Sequence, residues 1–345
     1  MPTHQWTCLS KPPFSFLDTL SRIDDAIDHN ADIGEAILDA SFKAAGLSND
    51  EAQPVPEWAN TAQTADMDEA RKAINQLYRD WTAEGRVERD ACYGPVLQYL
   101  SEVYLPRVEL GKRVKVLVPG AGLGRLVFEL YCKGYDAEGI DLSWHQWLTS
   151  NFIINHTGQA NEWSLHPWVL SFSNHLTRND QLRKVMVPDV RPADFKSGGS
   201  ILMGTGNFCE LYRGRTYLDT FDAVTTVFFI DTAPNLITYI ETVRHCLKTG
   251  GVWINHGPLL WHVFEHEHTE GEKDEDEAGA ADCQSNEIVA GSLELSEDEV
   301  VALVQAWGFH LVKHEVNTIT TGYVQNPQSM LRSVYKPSFW VARKL

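Results

Sequence analysis

A glycine-rich turn between a short apolar run and an amphipathic run constrains this chain of 345 residues more than any other feature. Residues 116–119 read Val-Leu-Val-Pro, Gly120, Gly122 and Gly124 follow, and apolar residues then recur at helical spacing from Leu126. A strand–loop–helix turn of this kind lets the backbone approach a ligand and aims helix-terminal N–H groups at it. The pattern therefore predicts a nucleotide-binding loop in an α/β fold, with a tight turn that binds nothing as the alternative.

The glycine spacing and a following acidic residue narrow the class of ligand. Gly120, Gly122 and Gly124 form the pattern G-x-G-x-G, which lacks the later third glycine of the dinucleotide pattern G-x-G-x-x-G. Asp141 ends the segment 135–141 after the predicted helix, where a carboxylate can accept hydrogen bonds from ribose hydroxyls. This combination favours S-adenosylmethionine over a nicotinamide dinucleotide. The absence of a separate catalytic domain also disfavours an oxidoreductase.

The composition limits the kinds of partner that this protein is expected to bind and the cellular compartment in which it is expected. The formal net charge is -18, which argues against a nucleic acid as substrate because phosphate binding requires a basic surface. No apolar run approaches the roughly 18 residues of a membrane span, and prolines and charges interrupt the first thirty residues, so we predict neither a membrane helix nor a signal peptide. The six cysteines show no C-x-x-C pair, which predicts buried free thiols and a cytoplasmic location, with the nucleus left open.

The spacing of apolar residues divides the chain into three predicted regions. Residues 1–65 are predicted to form a helical, partly ordered leader, because apolar residues recur at intervals of three and four. Residues 66–110 are predicted to form a helical extension that is broken at Gly85. Residues 111–345 alternate between predicted strands and helices and form the main domain, which carries a charged insert at about 265–282.

The alternation in the main domain predicts a doubly wound, mostly parallel sheet with helices on both faces. Its last two strands, joined by a long loop, are expected to form an antiparallel end of the sheet. The predicted strands are 114–118, 137–140, 221–229, 251–256, 310–317 and 339–343. The predicted helices between them include 143–155, 235–247 and 296–307, the last opening with a capping box at Ser296.

Two polar residues are expected at the edge where the predicted strands end. Asp231 follows the apolar run 225–230, and a carboxylate at the carboxyl end of a strand lies where ligands bind in open α/β sheets. Capping of the next helix is the alternative role for Asp231. His262 follows the predicted strand 251–256 and a Gly-Pro turn, which places it at the rim of the same crevice. A histidine beside an aspartate there could orient a proton-bearing substrate.

The charged insert is rich in acidic residues and poor in apolar ones, which predicts a solvated, mobile loop. His266 and His268 stand among carboxylates and are residue types that bind metals. They lack H-E-x-x-H spacing and any rigid element that would fix their geometry, so we predict no metal site.

Several longer sequence strings resemble the carnosine N-methyltransferases of the N2227-like family, which are similar to class I S-adenosylmethionine-dependent methyltransferases. The resemblance covers the chain from about Asp66 to its carboxyl terminus. The matching strings are Trp81 with 88–93, and then 116–126, 150–152, 228–233 and 251–260. The resemblance implies a Rossmann-like α/β fold with a seven-stranded sheet and an N-terminal helical extension that covers the cofactor. It also implies S-adenosyl-L-methionine as cofactor and methylation of an imidazole nitrogen in a histidine-containing dipeptide.

The resemblance further implies roles for individual residues. Arg79 pairs with the methionine carboxylate of the cofactor, and Asp141 binds its ribose. The cofactor-binding residues implied by the resemblance are Gln76, Arg79, Gly120, Gly122, Asp141, Asn207, Phe208 and Val227. The residues that it places around the substrate imidazole are Asp231, His262, Tyr323 and Tyr335. By their residue type alone, the two tyrosines would be core or sheet-edge aromatics.

This chain departs from the family pattern in three places. The family commonly has Glu at the position of Asp141 and Asp at the position of Asn207, and both changes keep hydrogen-bonding capacity. The charged insert after His262 is also unusual. A methyltransferase for another imidazole, amine or secondary metabolite is therefore the first alternative, and a non-catalytic S-adenosylmethionine-binding regulator is the second. A homodimer is left open.

Overall fold

The structure is a computed structural model of the chain and describes residues 1–46, 61–261 and 293–345. The polar, proline-containing composition of residues 49–56 predicts a linker there, and these residues lie outside the described ones, as do the charged insert and His262. Within the described ranges the α-helices are α1 (Thr3–Leu9), α2 (Phe16–Ala44), α3 (Thr64–Trp81), α4 (Arg86–Glu109), α5 (Arg125–Cys132), α6 (Trp144–His156), α7 (Arg178–Gln181), α8 (Phe208–Tyr212), α9 (Leu236–Cys246) and α10 (Glu297–Ala306).

One large sheet organises the main domain. The strands of the described residues are β1 (Lys115–Pro119), β2 (Asp136–Asp141), β3 (Trp163–Leu165), β4 (Val185–Val187), β5 (Ser200–Thr205), β6 (Phe221–Val227), β7 (Leu247–Gly257), β8 (Phe309–Glu315) and β9 (Ser338–Lys344). Seven of them pair in the order β5-β2-β1-β6-β7-β9-β8, while β3 and β4 form a separate antiparallel pair. In the large sheet of the described residues, β9 runs in the direction opposite to the other six strands and pairs antiparallel with β7 and β8. The predicted doubly wound, mostly parallel seven-stranded sheet with an antiparallel end is confirmed.

The central strands are buried on both faces, which explains their nearly continuous apolar sequences. Val116 and Ile254 pack with the buried side of α4. Leu117 and Trp253 face the opposite layer, which contains α9 and α10. The sheet is therefore the middle layer of a three-layer α/β domain, and its rigid strands fix the positions of the loops at their ends.

The carboxyl ends of the central strands form the edge where a ligand is expected. The chain passes from β1 outward to β2 and β5 and then returns to β6 on the other side of β1. Such a reversal opens a crevice at the carboxyl ends of the strands. Pro119, Asp141, Thr205 and Val227 end these four strands, and Asp141 lies directly opposite Thr205 in the register.

The carboxyl end of α3 is fixed over the glycine loop by buried hydrogen bonds. The Trp81 indole nitrogen donates to the Leu123 carbonyl oxygen at 2.9 Å. Arg89 on α4 and Arg125 on α5 both donate to the Asp189 carboxylate, at 2.7 and 2.6 Å. Arg89 also donates to the backbone carbonyl of Arg79 at 2.7 Å, and Arg125 to that of Asp80 at 3.0 Å, so the last turn of α3 has a defined place beside the crevice.

The helix α2 of the leader packs against the main domain. Ile33 is fully buried in a cluster with Leu77 of α3 and Phe152 of α6. Asn30 also forms a reciprocal pair with the backbone of His166, donating to its carbonyl at 3.0 Å and accepting from its N–H at 2.8 Å. These contacts tie α2 to the main domain through both apolar and polar groups.

Some predicted element boundaries are wrong for identifiable reasons. β6 ends at Val227, not at 229, because Phe228 turns the backbone into the left-handed region with a φ of +53°. The predicted strands do not include β3 and β4, which have three residues each, or β5, which has six. In contrast, α4 continues through Pro95 and Pro106, which tertiary packing tolerates although each proline removes a backbone donor.

The prediction of the cellular compartment was based on the cysteines and on the lengths of the apolar runs. The five described cysteines are free, but only Cys92 and Cys246 are buried as predicted. Cys132 and Cys209 are partly buried, and Cys8 is exposed on α1, which has no buried residue. Among the described helices, none is both long enough and apolar enough to cross a membrane.

Candidate active site

The glycine loop has the backbone conformation that its sequence predicts. Gly120, Gly122 and Gly124 all have positive φ, at +64°, +55° and +75°. A Cβ on Gly124 would lie 2.6 Å from the Ser150 hydroxyl oxygen, so α6 packs directly onto the start of α5. A Cβ on Gly120 would collide with the ring of Phe229. The loop thus requires glycine both for its conformation and for close packing.

Asp141 at the end of β2 is bonded to the glycine loop. Its Oδ2 accepts from the Gly122 N–H at 2.9 Å, and its Oδ1 accepts from the Ser143 N–H at 3.0 Å. Burial raises the pKa of the Asp141 carboxyl, while these backbone N–H groups lower it in part. An amide atom of Gln146 also lies 3.1 Å from Oδ2. The carboxylate therefore has a fixed place beside the loop, with acceptor sites left for a ribose diol.

Arg79 brings a buried cation to the same crevice from α3. The residue is 5% exposed, and its Nε and Nη2 have no hydrogen-bond partner among the described residues. Its guanidinium lies over the rings of Tyr323 and Phe228, 4.5 and 5.8 Å from their centroids. A buried guanidinium without an anion is costly unless a ligand supplies one. The residues present therefore fit a cofactor with a carboxylate, and Arg79 would hold that carboxylate.

Aromatic side chains line the crevice next to Arg79. The Tyr323 hydroxyl accepts from the Gln76 amide at 3.0 Å, and its ring centroid lies 5.3 Å from that of Phe228. The Tyr335 ring stands edge-on to Phe228 at 5.8 Å. Gln76, Arg79, Tyr323 and Tyr335 were named from the sequence, and the structure brings them together around Phe228. Phe228 belongs to the matching string 228–233 but was given no role in the site, because a phenylalanine in an apolar run resembles any other strand residue.

Asp231 lies in a 3₁₀ turn just after β6 and is 4% exposed. Its Oδ2 accepts from the backbone N–H of Leu260 at 2.9 Å. This bond brings the segment after β7 to Asp231, as expected, although His262 itself lies outside the described residues. The alternative role as helix cap is wrong, since Asn235 caps α9 by accepting from the N–H groups of Ile237 and Thr238.

Three further predicted cofactor residues lie at neighbouring strand ends. Asn207 follows β5 and caps α8, its Oδ1 accepting from two backbone N–H groups. The buried Phe208 ring packs edge-on against the rings of Phe229 and Tyr239, which stack on each other. Val227 ends β6 opposite His256. All three stand at the predicted edge, and their cofactor contacts stay predictions.

Glu88 belongs to the string 88–93 that resembles the family, but the sequence assigned it no role of its own. Its carboxylate accepts from the backbone N–H groups of Val324 and Gln325, at 2.8 and 2.7 Å. Burial raises the pKa of Glu88, against the lowering effect of these two bonds. The residue fixes the loop that carries Tyr323. No local sequence signal marks such a partner, since the two groups lie 236 positions apart in the chain.

The sheet order, the glycine loop bonded to Asp141 and the unpartnered guanidinium beside it together define a class I S-adenosyl-L-methionine-dependent methyltransferase. The family model for carnosine N-methyltransferase matches residues 56–345. The chain therefore belongs to the carnosine N-methyltransferase family, and it is an S-adenosyl-L-methionine-dependent N-methyltransferase.

Individual relatives are similar over nearly the whole chain. The carnosine N-methyltransferase of Schizosaccharomyces pombe is 34% identical over 341 residues, which cover 99% of this chain and 86% of that protein. The carnosine N-methyltransferase of Rattus norvegicus is 34% identical over 348 residues, which cover 100% of this chain and 78% of that protein. A solved methyltransferase of Methanosarcina mazei is 17% identical with a TM-score of 0.40, covering 68% of this chain and 93% of the other.

Proposed function

We propose that this enzyme transfers the methyl group of S-adenosyl-L-methionine to an imidazole nitrogen of a histidine-containing dipeptide, as the name carnosine N-methyltransferase states for its relatives. One observation carries the proposal for the acceptor. A buried carboxylate, Asp231, stands at the same strand edge as the glycine loop and is held by the Leu260 N–H at 2.9 Å. A carboxylate there is suited to an acceptor that bears an N–H and gains positive charge.

The cofactor side of the site is assigned to residues of the strand ends and of α3. When bound, S-adenosyl-L-methionine supplies an electrophilic methyl group on a sulfonium sulfur, which departs as a thioether. Arg79 would hold the carboxylate of its amino-acid end, and Asp141 its ribose hydroxyls. The other residues proposed to contact it are Gln76, Gly120, Gly122, Asn207, Phe208 and Val227.

The acceptor side is assigned to Asp231, His262, Tyr323 and Tyr335. A neutral imidazole has one nitrogen with a free lone pair and one N–H, so the partner of the N–H decides which nitrogen is methylated. The Asp231 carboxylate accepts a hydrogen bond from that N–H, and the aromatic residues fix the plane of the imidazole ring. The lone pair forms the new nitrogen–carbon bond, the ring becomes a cation beside Asp231, and its N–H proton then passes to water. The rate gain comes mainly from orientation and from this fixed negative charge.

The composition supports the proposed partners. A formal net charge of -18 favours a small acceptor over a nucleic acid. The free thiols of the five described cysteines are consistent with the reducing cytoplasm.

The test is methyl transfer from labelled S-adenosyl-L-methionine to a panel of acceptors. The panel contains carnosine, free histidine, imidazole, β-alanyl-alanine as the control without a ring, and a primary amine. We expect label in carnosine and none in β-alanyl-alanine, with NMR of the product identifying the methylated nitrogen. Label in the amine but not in carnosine would contradict the imidazole assignment.

A further inference from the structure

Asp80 is a buried carboxylate next to Arg79 at the end of α3, and it is 1% exposed. Its Oδ1 accepts from the Tyr93 hydroxyl at 2.9 Å. Its backbone carbonyl accepts from Arg125 at 3.0 Å, which fixes the main chain at this position. The side chain and the backbone of Asp80 are therefore both held in place before any ligand binds.

The second carboxylate oxygen of Asp80 faces the glycine loop. A Cβ built on Gly122 would lie 3.7 Å from Asp80 Oδ2 and 3.9 Å from the Gln76 amide nitrogen. Asp80 thus borders the middle glycine of the loop on the side where Gln76 also points. Within the described parts of the chain, no donor bonds Oδ2 and no lysine or arginine forms an ion pair with this carboxylate.

Two opposite charges therefore stand at neighbouring positions of one crevice without a direct bond between them. Arg79 Nε and Nη2 have no hydrogen-bond partner, and the charge of Asp80 acts on Arg79 without forming an ion pair within the described residues. A buried charge is costly unless a group of opposite sign bonds to it directly. A ligand with both a carboxylate and an ammonium group would compensate both residues at once. The amino-acid end of S-adenosyl-L-methionine is such a group.

We propose that Asp80 binds the α-ammonium group of the cofactor while Arg79 binds its α-carboxylate, and that the Tyr93 hydroxyl positions Asp80 for this contact. The assignment rests on the proposed cofactor placement, with the amino-acid end beside Arg79 and the ribose at Asp141. It adds a cofactor-binding residue that neither the glycine pattern nor the family resemblance named.

The experiment measures binding by calorimetry and does not depend on methyl transfer. The ligands are S-adenosylhomocysteine, its analogue in which hydrogen replaces the α-ammonium group, and 5′-methylthioadenosine, which lacks the whole amino-acid end. The variants are Asp80→Asn and Tyr93→Phe. We expect Asp80→Asn to weaken S-adenosylhomocysteine binding by about ten- to a hundredfold, the range for a lost hydrogen bond between charged groups. Binding of the other two ligands should be unchanged.

Each outcome decides the proposal. An equal loss for all three ligands would assign Asp80 a purely structural role, and no loss for S-adenosylhomocysteine would overturn the ammonium contact. If Asp80→Asn does not fold, Tyr93→Phe decides, because it keeps the carboxylate and removes only its hydrogen-bond donor. If Tyr93→Phe weakens the binding of S-adenosylhomocysteine alone, by a smaller factor than Asp80→Asn, the proposal is supported. If it weakens the binding of all three ligands equally, or of none, the proposal is overturned. Failure of the unmodified protein to bind any of the three ligands would instead refute the cofactor placement itself.

Discussion

At the scale of single residues, the buried side chains of Asp231 and His256 differ in their hydrogen bonding. Asp231, in the 3₁₀ turn after β6, is a carboxylate that accepts from the Leu260 backbone N–H. His256 on β7 is fully buried, and neither of its ring nitrogens has a hydrogen-bond partner among the described residues. The first residue is suited to holding a cationic ring, whereas the second must stay neutral in the folded protein.

We predict that Asp231→Asn lowers methyl transfer to carnosine by roughly ten- to a thousandfold, as for one lost electrostatic or proton-handling contact. The amide oxygen still accepts from the Leu260 N–H, so the fold should be retained. Cofactor affinity should change little, since the defect lies on the acceptor side. Single-turnover kinetics beside a titration with S-adenosylhomocysteine separates the two effects. A full transfer rate in the variant would leave the imidazole without its proposed anchor.

His256 gives a prediction for stability against pH. Burial lowers the pKa of its imidazole from 6.5 to about 4. Between these values the unfolded chain binds a proton that the folded protein does not bind, so stability is lost as the pH falls from 6.5 to 4. The loss attributable to this residue is roughly 3 kcal/mol at most.

Urea titrations of the unmodified protein and of His256→Phe between pH 4 and 7 measure this contribution. We expect the variant to lose less stability than the parent as the pH falls. The exposed His310 on β8 offers the matched control, and His310→Asn should leave the pH dependence unchanged. Parallel curves for the parent and His256→Phe would show that His256 does not carry the effect.

At the scale of elements, the extension α3–α4 supplies one side of the site and also holds the opposite side. Arg79 and Gln76 come from α3, whereas Glu88 of α4 binds the loop after β8 that carries Tyr323. The loop has little regular structure of its own, and Val324 has a φ of +50°. Its conformation therefore depends on a carboxylate from a distant helix.

We predict that Glu88→Gln loosens this loop. The amide oxygen of Gln accepts hydrogen bonds more weakly than a carboxylate oxygen, and the amide nitrogen, which is itself a donor, cannot accept one from a backbone N–H. Hydrogen exchange at the Val324 and Gln325 amides should become faster, and KM for the acceptor should rise. Glu84→Gln, at an exposed position one turn earlier, is the control and should alter neither. Unchanged exchange in Glu88→Gln would show that other contacts suffice to hold the loop.

At the scale of the whole molecule, the leader helix α2 belongs to the same packed structure as the sheet domain. Ile33 is completely buried among side chains of α3 and α6, whereas Leu38 on the same helix is 42% exposed. The apolar cluster therefore joins the leader, the extension and the main domain.

Truncation of Ile33 should destabilise the whole protein and not only the leader. We expect Ile33→Ala to lower the free energy of unfolding by about 2 to 5 kcal/mol, the cost of a cavity in a packed core. Leu38→Ala should change it by less than about 1 kcal/mol, because little buried surface is lost. Denaturant titration followed by tryptophan fluorescence measures both values. Equal, small effects would mean that α2 can detach without disturbing the domain.

Several features of this fold follow from local sequence patterns alone. Alternating strands and helices, the glycine loop and Asp141 at a strand end follow from hydrophobic period and backbone sterics, which act between neighbours in the chain. Most of the individual site residues were named only because longer strings resemble a known family. Tyr323 and Tyr335, for example, carry no local signal of their own.

The three-dimensional fold sets the contacts between residues far apart in sequence. It gave Glu88 its two backbone donors, turned Phe228 into the left-handed region and left the charges of Arg79 and Asp80 facing one crevice. It also makes Asn235, and not Asp231, the N-cap of α9. The reason is physical: burial, charge compensation and backbone strain depend on what surrounds a residue in space, and a local sequence pattern does not contain those neighbours.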